Sequence, residues 1–323
     1  MDLEFIGESM ALGAAAPARL TAMGAQRARL SAGRWHFQHG PIDIVIGANG
    51  APEAVHDAHE AAWVRFGPIL DELVAELAML RLPVGAECPL QGRVARRMWA
   101  ACHPFRGDYI TPMAAVAGAV AQELIASYER EGVDRAWVNN GGDIALHVAP
   151  GRSVRIGLFA DLSRLDAHEV VDGISTDGCF DVAHALPVRG VATSGWRGRS
   201  FSLGIADSVT VLARTAAMAD AAATVIANAV TVHDDRIVRR PACDLKDDTD
   251  LGAIPVTVHV PPLDAHAVRQ ALNAGSQRAR ELIHAGVIWS CALACQGMLV
   301  TVEHDSATLP GRMRDTVGGM VLA

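Results

Sequence analysis

Aromatic residues make up only 5% of the chain, although 50% of its residues are hydrophobic. The apolar mass is therefore mostly Ala, Val, Leu and Ile, and a core of such side chains suits helices packed tightly on a sheet. Lysine is all but missing: of 28 basic residues only Lys246 is not Arg. Arg presents a planar fork to phosphate or carboxylate, and a biased genome composition produces the same skew. The formal net charge is −8 and no dense basic run exists, which argues against a nucleic-acid binder. No stretch approaches the roughly 20 apolar residues of a membrane span without charge or turn residues. The opening MDLEFIGESM has neither the basic start nor the apolar run of a secretory signal.

Metal and redox cysteine motifs are also missing. The six cysteines (Cys88, Cys102, Cys179, Cys243, Cys291 and Cys295) include no pair at the spacing of a zinc knuckle or redox centre. Cys291 and Cys295, on one predicted strand, would stand about 13 Å apart, too far for a disulfide. Reduced, buried thiols are expected, and they fit a cytoplasmic protein. There is no Gly-x-Gly-x-x-Gly fingerprint and no P-loop. The stretch HDAHE (56–60) does not match a zinc-helix motif and reads as a solvated helix face.

What is present reads as α+β. Residues 1–30 are Ala-rich and patternless and are expected to be a loose extension, with Met23 as an alternative start. Order is expected from near Arg34, as one domain over 31–323. Two strands meet at a Gly-Pro turn (residues 35–46), and apolar spacing of three and four predicts a helix from Pro52 to Leu80. An Arg-rich helix is expected over 90–104 and a long one over 111–132, opened by Pro112 and closed by Gly132. Strands follow at RAWVN, IALHVA and 153–159, then ADSVTVLA, a helix at 215–230 with Thr215 as N-cap, and an irregular loop at 231–253. PVTVHV is a strand, 263–285 a helix, and 286–302 a hairpin turning at Gln296-Gly297. Neighbouring strands joined by short turns favour mixed or antiparallel sheets with packed helices.

Three local patterns carry chemistry. In ADAAATVIANAV, Asp220 and Thr224 lie four apart on one helix face, extended by Asn228, and offer oxygen ligands to a hard cation such as Mg²⁺. A dipole-favoured Asp and a Thr bonded to its own backbone would look the same. In VNNGGDI, Gly141 and Gly142 permit a tight turn whose N–H groups face a ligand, and Asp143 could take a hydroxyl or a ribose; a plain hairpin uses the same residues. In VATSGWRGRSF, Thr193, Ser194 and Gly195 with Arg197 and Arg199 could cradle a phosphate or carboxylate, or form an exposed loop.

Taken in order, AAVAGAVA (114–121), VNNGGDI, VATSG, DSVTV (207–211) and ADAAAT (219–224) resemble the motifs of the ApbE superfamily of FAD:protein FMN transferases. The wider stretch 34–302 resembles an uncharacterised ApbE-like subfamily through QHGPID (38–43), VARRM (94–98), ITPMAAVAGAVA (110–121) and SGWRGRSFSLGIADSVTVLA (194–213). The resemblance implies an ApbE-like fold. It implies metal ligation by Asp220, Thr224 and the backbone of Ala115. It also implies ligand contacts from Asn140, Gly141, Gly142, Asp143, Thr193, Ser194 and Gly195.

Two departures stand out. The family's Lys in the small-residue helix is Gly118 here. The His-His-Ile-Ile-Asp-Pro segment, source of a catalytic His, is replaced by GRSFSLGIAD. The metal half of the site is kept and the proton-transfer half is missing. The expectation is a Mg²⁺-dependent protein binding FAD or FMN that hydrolyses FAD, transfers FMN, or binds without catalysis. The alternative is an enzyme on a small anionic substrate, with Arg97 and Arg197 orienting the anion and His39 as acid or base. The expected partner is a small molecule, with no nucleic acid or membrane, and a homo-oligomer is open.

Overall fold

The computed structural model describes residues 24–158, 178–198, 200–304 and 320–322. Its strands form one nine-stranded antiparallel sheet, one three-stranded sheet and one two-stranded sheet. β1 (Gln26–Arg29), β2 (Trp35–His39) and β3 (Ile42–Gly50) are followed by helices α1 (Pro52–Ala75), α2 (Leu77–Leu80), α3 (Arg93–Cys102) and α4 (Val116–Ile125). The chain returns to the sheet as β4 (Val133–Asn140) and β5 (Asp143–Val148). β6 (Ser153–Leu158) and β7 (Gly178–Ala183) leave it before β8 (Gly190–Ser194) and β9 (Ser208–Ala213) rejoin. α5 (Ala216–Ala229), β10 (Val238–Pro241), β11 (Pro255–His259), α6 (Ala265–His284), β12 (Ser290–Cys295), β13 (Met298–Val302) and β14 (Met320–Leu322) complete the order. The nine-stranded sheet has the order β1-β2-β3-β4-β5-β8-β9-β12-β13 and is antiparallel throughout, while β14 pairs with β6 in parallel; the α+β class with mixed and antiparallel sheets, expected from the sequence, is the one observed.

Side-chain alternation splits the sheet into two buried faces. Phe37, Ile44, Ile46, Val138, Ala145, Ala192, Val211 and Leu293 face the helices, where α5 contributes a run of fully buried alanines. Ile144, Leu146, Val191 and Leu212 face the other way, onto Val154, Ile156 and Val182 of the three-stranded sheet β14-β6-β7. Strands β5 and β8 are thus covered on both sides. α1 begins at Pro52 and buries Ala58, Ala62, Phe66, Ile69, Leu70 and Leu73 at spacings of three and four. α3 has no cap of its own in sequence; the Glu76 carboxylate accepts from Gln91 N–H and Gly92 N–H at 2.7 Å each and caps it from outside.

Four expectations change. The stretch 111–132 is not one helix: a 3-10 turn (Pro112–Ala115) precedes α4, and another (Ala126–Tyr128) follows. An unbroken helix would lock the Gly118 N–H into an internal bond, whereas here it donates to Asp220 at 2.9 Å. Residues 26–29, inside the stretch expected to be loose, form β1. Its side chains are exposed, and Arg27 lies over the Trp35 and Trp63 rings and bonds Glu60 at 2.7 Å. Within 231–253, β10 pairs with β11. In HDAHE, His59 is buried, with its Nδ1 2.7 Å from the Tyr128 hydroxyl; burial first, then the nearby Arg29 charge, lowers its pKa to about 4.

Candidate functional site

The site is built where the β4–β5 turn, the start of α4 and the first turns of α5 meet. Gly141 and Gly142 make the turn with φ of 68° and 110°, a region open to glycine, and a side chain at Gly142 would meet nothing within 4 Å. The Asn139 side chain accepts the Gly142 N–H at 2.8 Å and holds the turn's shape. Asn140 and Asp143 pair directly across it, so both side chains point to the helical face. Asn140 Nδ2 donates to the Ala117 carbonyl at 3.1 Å, tying the turn to α4. Asp143 is 8% exposed, and its carboxylate accepts from the Thr193 N–H at 3.3 Å.

Asp220 comes from α5, whose N-terminus is capped by the Thr215 side chain, as expected. The Gln122 side chain holds the same turn by accepting the Ala217 N–H at 3.3 Å. α4 and α5 approach so closely that a Cβ on Gly118 would lie 2.4 Å from the Ala216 carbonyl oxygen. Glycine is therefore required where the resemblance expects a Lys, and this contact lets the α4 N-terminus reach Asp220.

The Asp220 charge opposes ionisation of Asp143. Burial, then the Asp220 charge, pushes Asp143 well above the usual carboxylate range, against the Thr193 hydrogen bond. Burial raises Asp220 to about 7, while hydrogen bonds from Gly118 and Ala117 N–H act to lower it. A buried Asp143 and a half-buried Asp220, both raised, favour a retained proton or a nearby cation. Cys102 packs beside Asp220; burial and that charge keep its thiol well above its ordinary pKa.

Three of the expected donors carry oxygen. Thr224 lies one turn along α5 from Asp220, and Ala115 is the residue at which the 3-10 turn passes into α4. These groups offer oxygen only, the donor chemistry Mg²⁺ prefers. Among the described residues no group of three or more His, Cys, Asp or Glu side chains is placed to hold a metal.

The remaining expected residues are placed differently. Thr193 pairs with Thr210 on the face away from the carboxylates, with the hydroxyls 2.9 Å apart, so its backbone N–H and not its side chain belongs to the site. Ser194, next along β8, falls on the carboxylate face. Gly195 is a close-approach glycine: its Cβ would lie 2.3 Å from the Asp207 carbonyl oxygen. Arg197 is about half exposed, 3.7 Å from Asp207 and over the Trp196 ring. Arg199 lies outside the described residues. Arg97 sits in the helix layer, 2.6 Å from Glu123, which also takes Arg65 at 2.7 Å. Burial alone would raise the Glu123 pKa, but these two guanidinium groups hold it below the ordinary value. Asn228 does not extend a ligand face: its Oδ1 accepts from Leu203 N–H at 2.9 Å and Ser202 hydroxyl at 3.2 Å, fastening the loop before β9. His39 is buried at the end of β2.

The motifs lead to one cleft where the Gly-Gly-Asp turn, the Ser-Gly loop and the Asp220 helix converge, but not to the electrostatic coupling of Asp143 with Asp220. They are distant in sequence, and only the register of β4 with β5 and the seat of α4 bring them together. The one local signal was glycine at position 118 in a helix otherwise rich in alanine.

A solved structure, the apo form of the Pseudomonas stutzeri flavinyl transferase ApbE, aligns with 87% of this chain and 95% of its own, at 13% identity and a TM-score of 0.41. A UPF0280 protein of Methanospirillum hungatei is 38% identical over 132 residues, which are 41% of this chain but only 50% of that protein. A UPF0280 protein of Methanopyrus kandleri is 36% identical over 211 residues, 64% of this chain and 78% of that protein. The family model described as AbpE bacteria matches residues 27–302. A match of that extent, agreeing with the order of motifs along the sequence, shows that the chain belongs to this ApbE-like family.

Proposed function

We propose that the chain binds a flavin nucleotide, FAD or FMN, with its phosphates held through a divalent cation at Asp143 and Asp220. The observation that supports this reading is the pair of raised carboxyls, Asp143 by burial and then the Asp220 charge and Asp220 by burial, set beside the N-terminus of α4 and next to an open glycine turn. A cation there relieves the repulsion between the carboxylates and would neutralise pyrophosphate charge. The Asp220 side of the cleft is held rigid by α4 N–H groups, and the Gly142 side leaves room for the ligand. Flavin is the ligand implied by the family's motifs.

Proton transfer is the weaker half. The segment in place of the family's catalytic His packs onto the end of α5: Ile205 N–H donates to the Val230 carbonyl at 2.8 Å, and Leu203 is held by Asn228. No histidine stands between Ser200 and Asp207. General acid–base help is worth roughly 10²–10⁴-fold, so flavinylation of a carrier-protein Thr or Ser is expected to be slow or absent. FAD hydrolysis or binding alone is favoured. The small-acid alternative is left with few cations, because Glu123 engages Arg97 and Asp207 lies beside Arg197.

The test is calorimetric titration of FAD with and without Mg²⁺. Binding that requires Mg²⁺ and is lost in Asp220→Ala supports the reading. A wild-type protein that binds no FAD at millimolar Mg²⁺ overturns it. A strong fluorescent band on a flavinylation-competent acceptor would restore transferase activity.

A further inference from the structure

The sheet end that carries the carboxylates continues past them. β2 ends at His39, which pairs with Ile42 across the Gly40-Pro41 turn. Two residues along β3, Ile44 pairs with Asn140, and Asn140 pairs with Asp143. Directly paired residues share a face, so His39, Asn140 and Asp143 all lie on the helical face at one end of the sheet. Three strand spacings and two residues separate His39 from Asp143, about 16 Å between backbones.

His39 is 7% exposed, and its ring meets the Phe66 ring edge-on at 6.3 Å. Its Nδ1 is sealed from solvent without a hydrogen-bond partner, whereas Nε2 is not sealed. Sealing an unpaired N–H is costlier than sealing a bare ring nitrogen, so the ring proton belongs on Nε2. The ring then carries one N–H donor on its unsealed edge, beside the apolar Phe66 ring. That apolar setting suits an uncharged acceptor.

We propose that His39 is a specificity residue for the far part of a long ligand: its Nε2–H donates to a carbonyl or ring nitrogen of a dinucleotide-sized molecule whose phosphates lie at Asp143 and Asp220. This rests on the flavin reading above and adds the length of the ligand and the residue that reads its far end.

The test compares a long probe, FAD, with a short one, inorganic pyrophosphate, both titrated at saturating Mg²⁺. Loss of one hydrogen bond in His39→Phe should weaken FAD about tenfold and leave pyrophosphate unchanged. His39→Gln, which keeps an N–H donor, should recover most of the FAD affinity. Unchanged FAD binding in His39→Phe overturns the proposal. Equal weakening of both probes also overturns it, because His39 would then act on the fold. A wild-type protein that binds pyrophosphate but not FAD, or neither, removes the flavin reading itself and this proposal with it.

Discussion

The two ends of the nine-stranded sheet differ in how their polar groups are satisfied. At the end opposite the carboxylates lies a hollow of about 560 Å³, lined by Glu129, Asp134, His147, His184 and Arg189 among others. Several of its polar groups are bound to the protein itself. His147 Nε2 is 3.0 Å from the Val133 carbonyl and His184 Nδ1 2.7 Å from that of Val148. Arg189 donates to the carbonyls of Leu186, Val188 and His184. At the other end, the charge of half-buried Asp220 raises the buried Asp143 carboxyl, and His39 seals an unpartnered nitrogen. Perturbed carboxyls are the kind of group that clusters at functional sites, and they lie at the end proposed above to hold the ligand.

The largest expected effect tests how the carboxylate end is built. Gly118→Lys, which restores the family's residue, should destabilise the protein by about 3 kcal/mol or more, since the new Cβ would meet α5 backbone that cannot yield. Thermal or urea unfolding reads this directly, and a stable, folded variant would mean that α4 and α5 do not meet as described.

The next effect is a pH dependence. Asp220 has a folded pKa raised above its unfolded value, so the folded state binds more protons between the two. Its contribution is fully favourable below the unfolded pKa and is lost as pH rises through about 7. In metal-free protein Tm should fall by about 3 °C or more between pH 5 and pH 8, and Mg²⁺ should remove most of the fall. Asp143→Asn should remove the share of the fall that Asp143 contributes and leave the share due to Asp220. A metal-free Tm that is level or rises over this range would contradict the carboxylate pair.

At the opposite end the expectation reverses. Arg189→Ala removes hydrogen bonds to three carbonyls and should cost about 1–3 kcal/mol of stability, with Mg²⁺-dependent FAD affinity unchanged. A loss of FAD affinity without a loss of stability would place the ligand in the wrong hollow. The smallest effect belongs to Arg197→Ala: the side chain is about half exposed and its ion pair loose, so stability should change by less than about 0.5 kcal/mol. A tenfold or larger loss of FAD affinity in that variant would instead make Arg197 a ligand contact.

Much of the scaffold is legible from local pattern. α1 shows its apolar spacing, α5 has Thr215 at its N-cap, and the β12–β13 hairpin turns at Gln296-Gly297, where both residues have positive φ. β1 and β10 are not legible in this way. Their side chains are largely exposed or partly exposed, so no apolar alternation marks them, and what places them is the ladder to a partner strand.

The site divides along the same line. The sequence by itself determined the motif order, the family, the glycine turn and the presence of Asp220 and Thr224 on one helix face, because each depends on neighbours within a few residues. Only the tertiary structure decided that Asp143 faces Asp220, that Gly118 is a contact point with no room for a side chain, that the Thr193 hydroxyl turns away, and that Glu123 occupies Arg97. Those outcomes depend on strand register and on how closely two helices approach, and both are set by long-range packing that no local stretch of residues encodes.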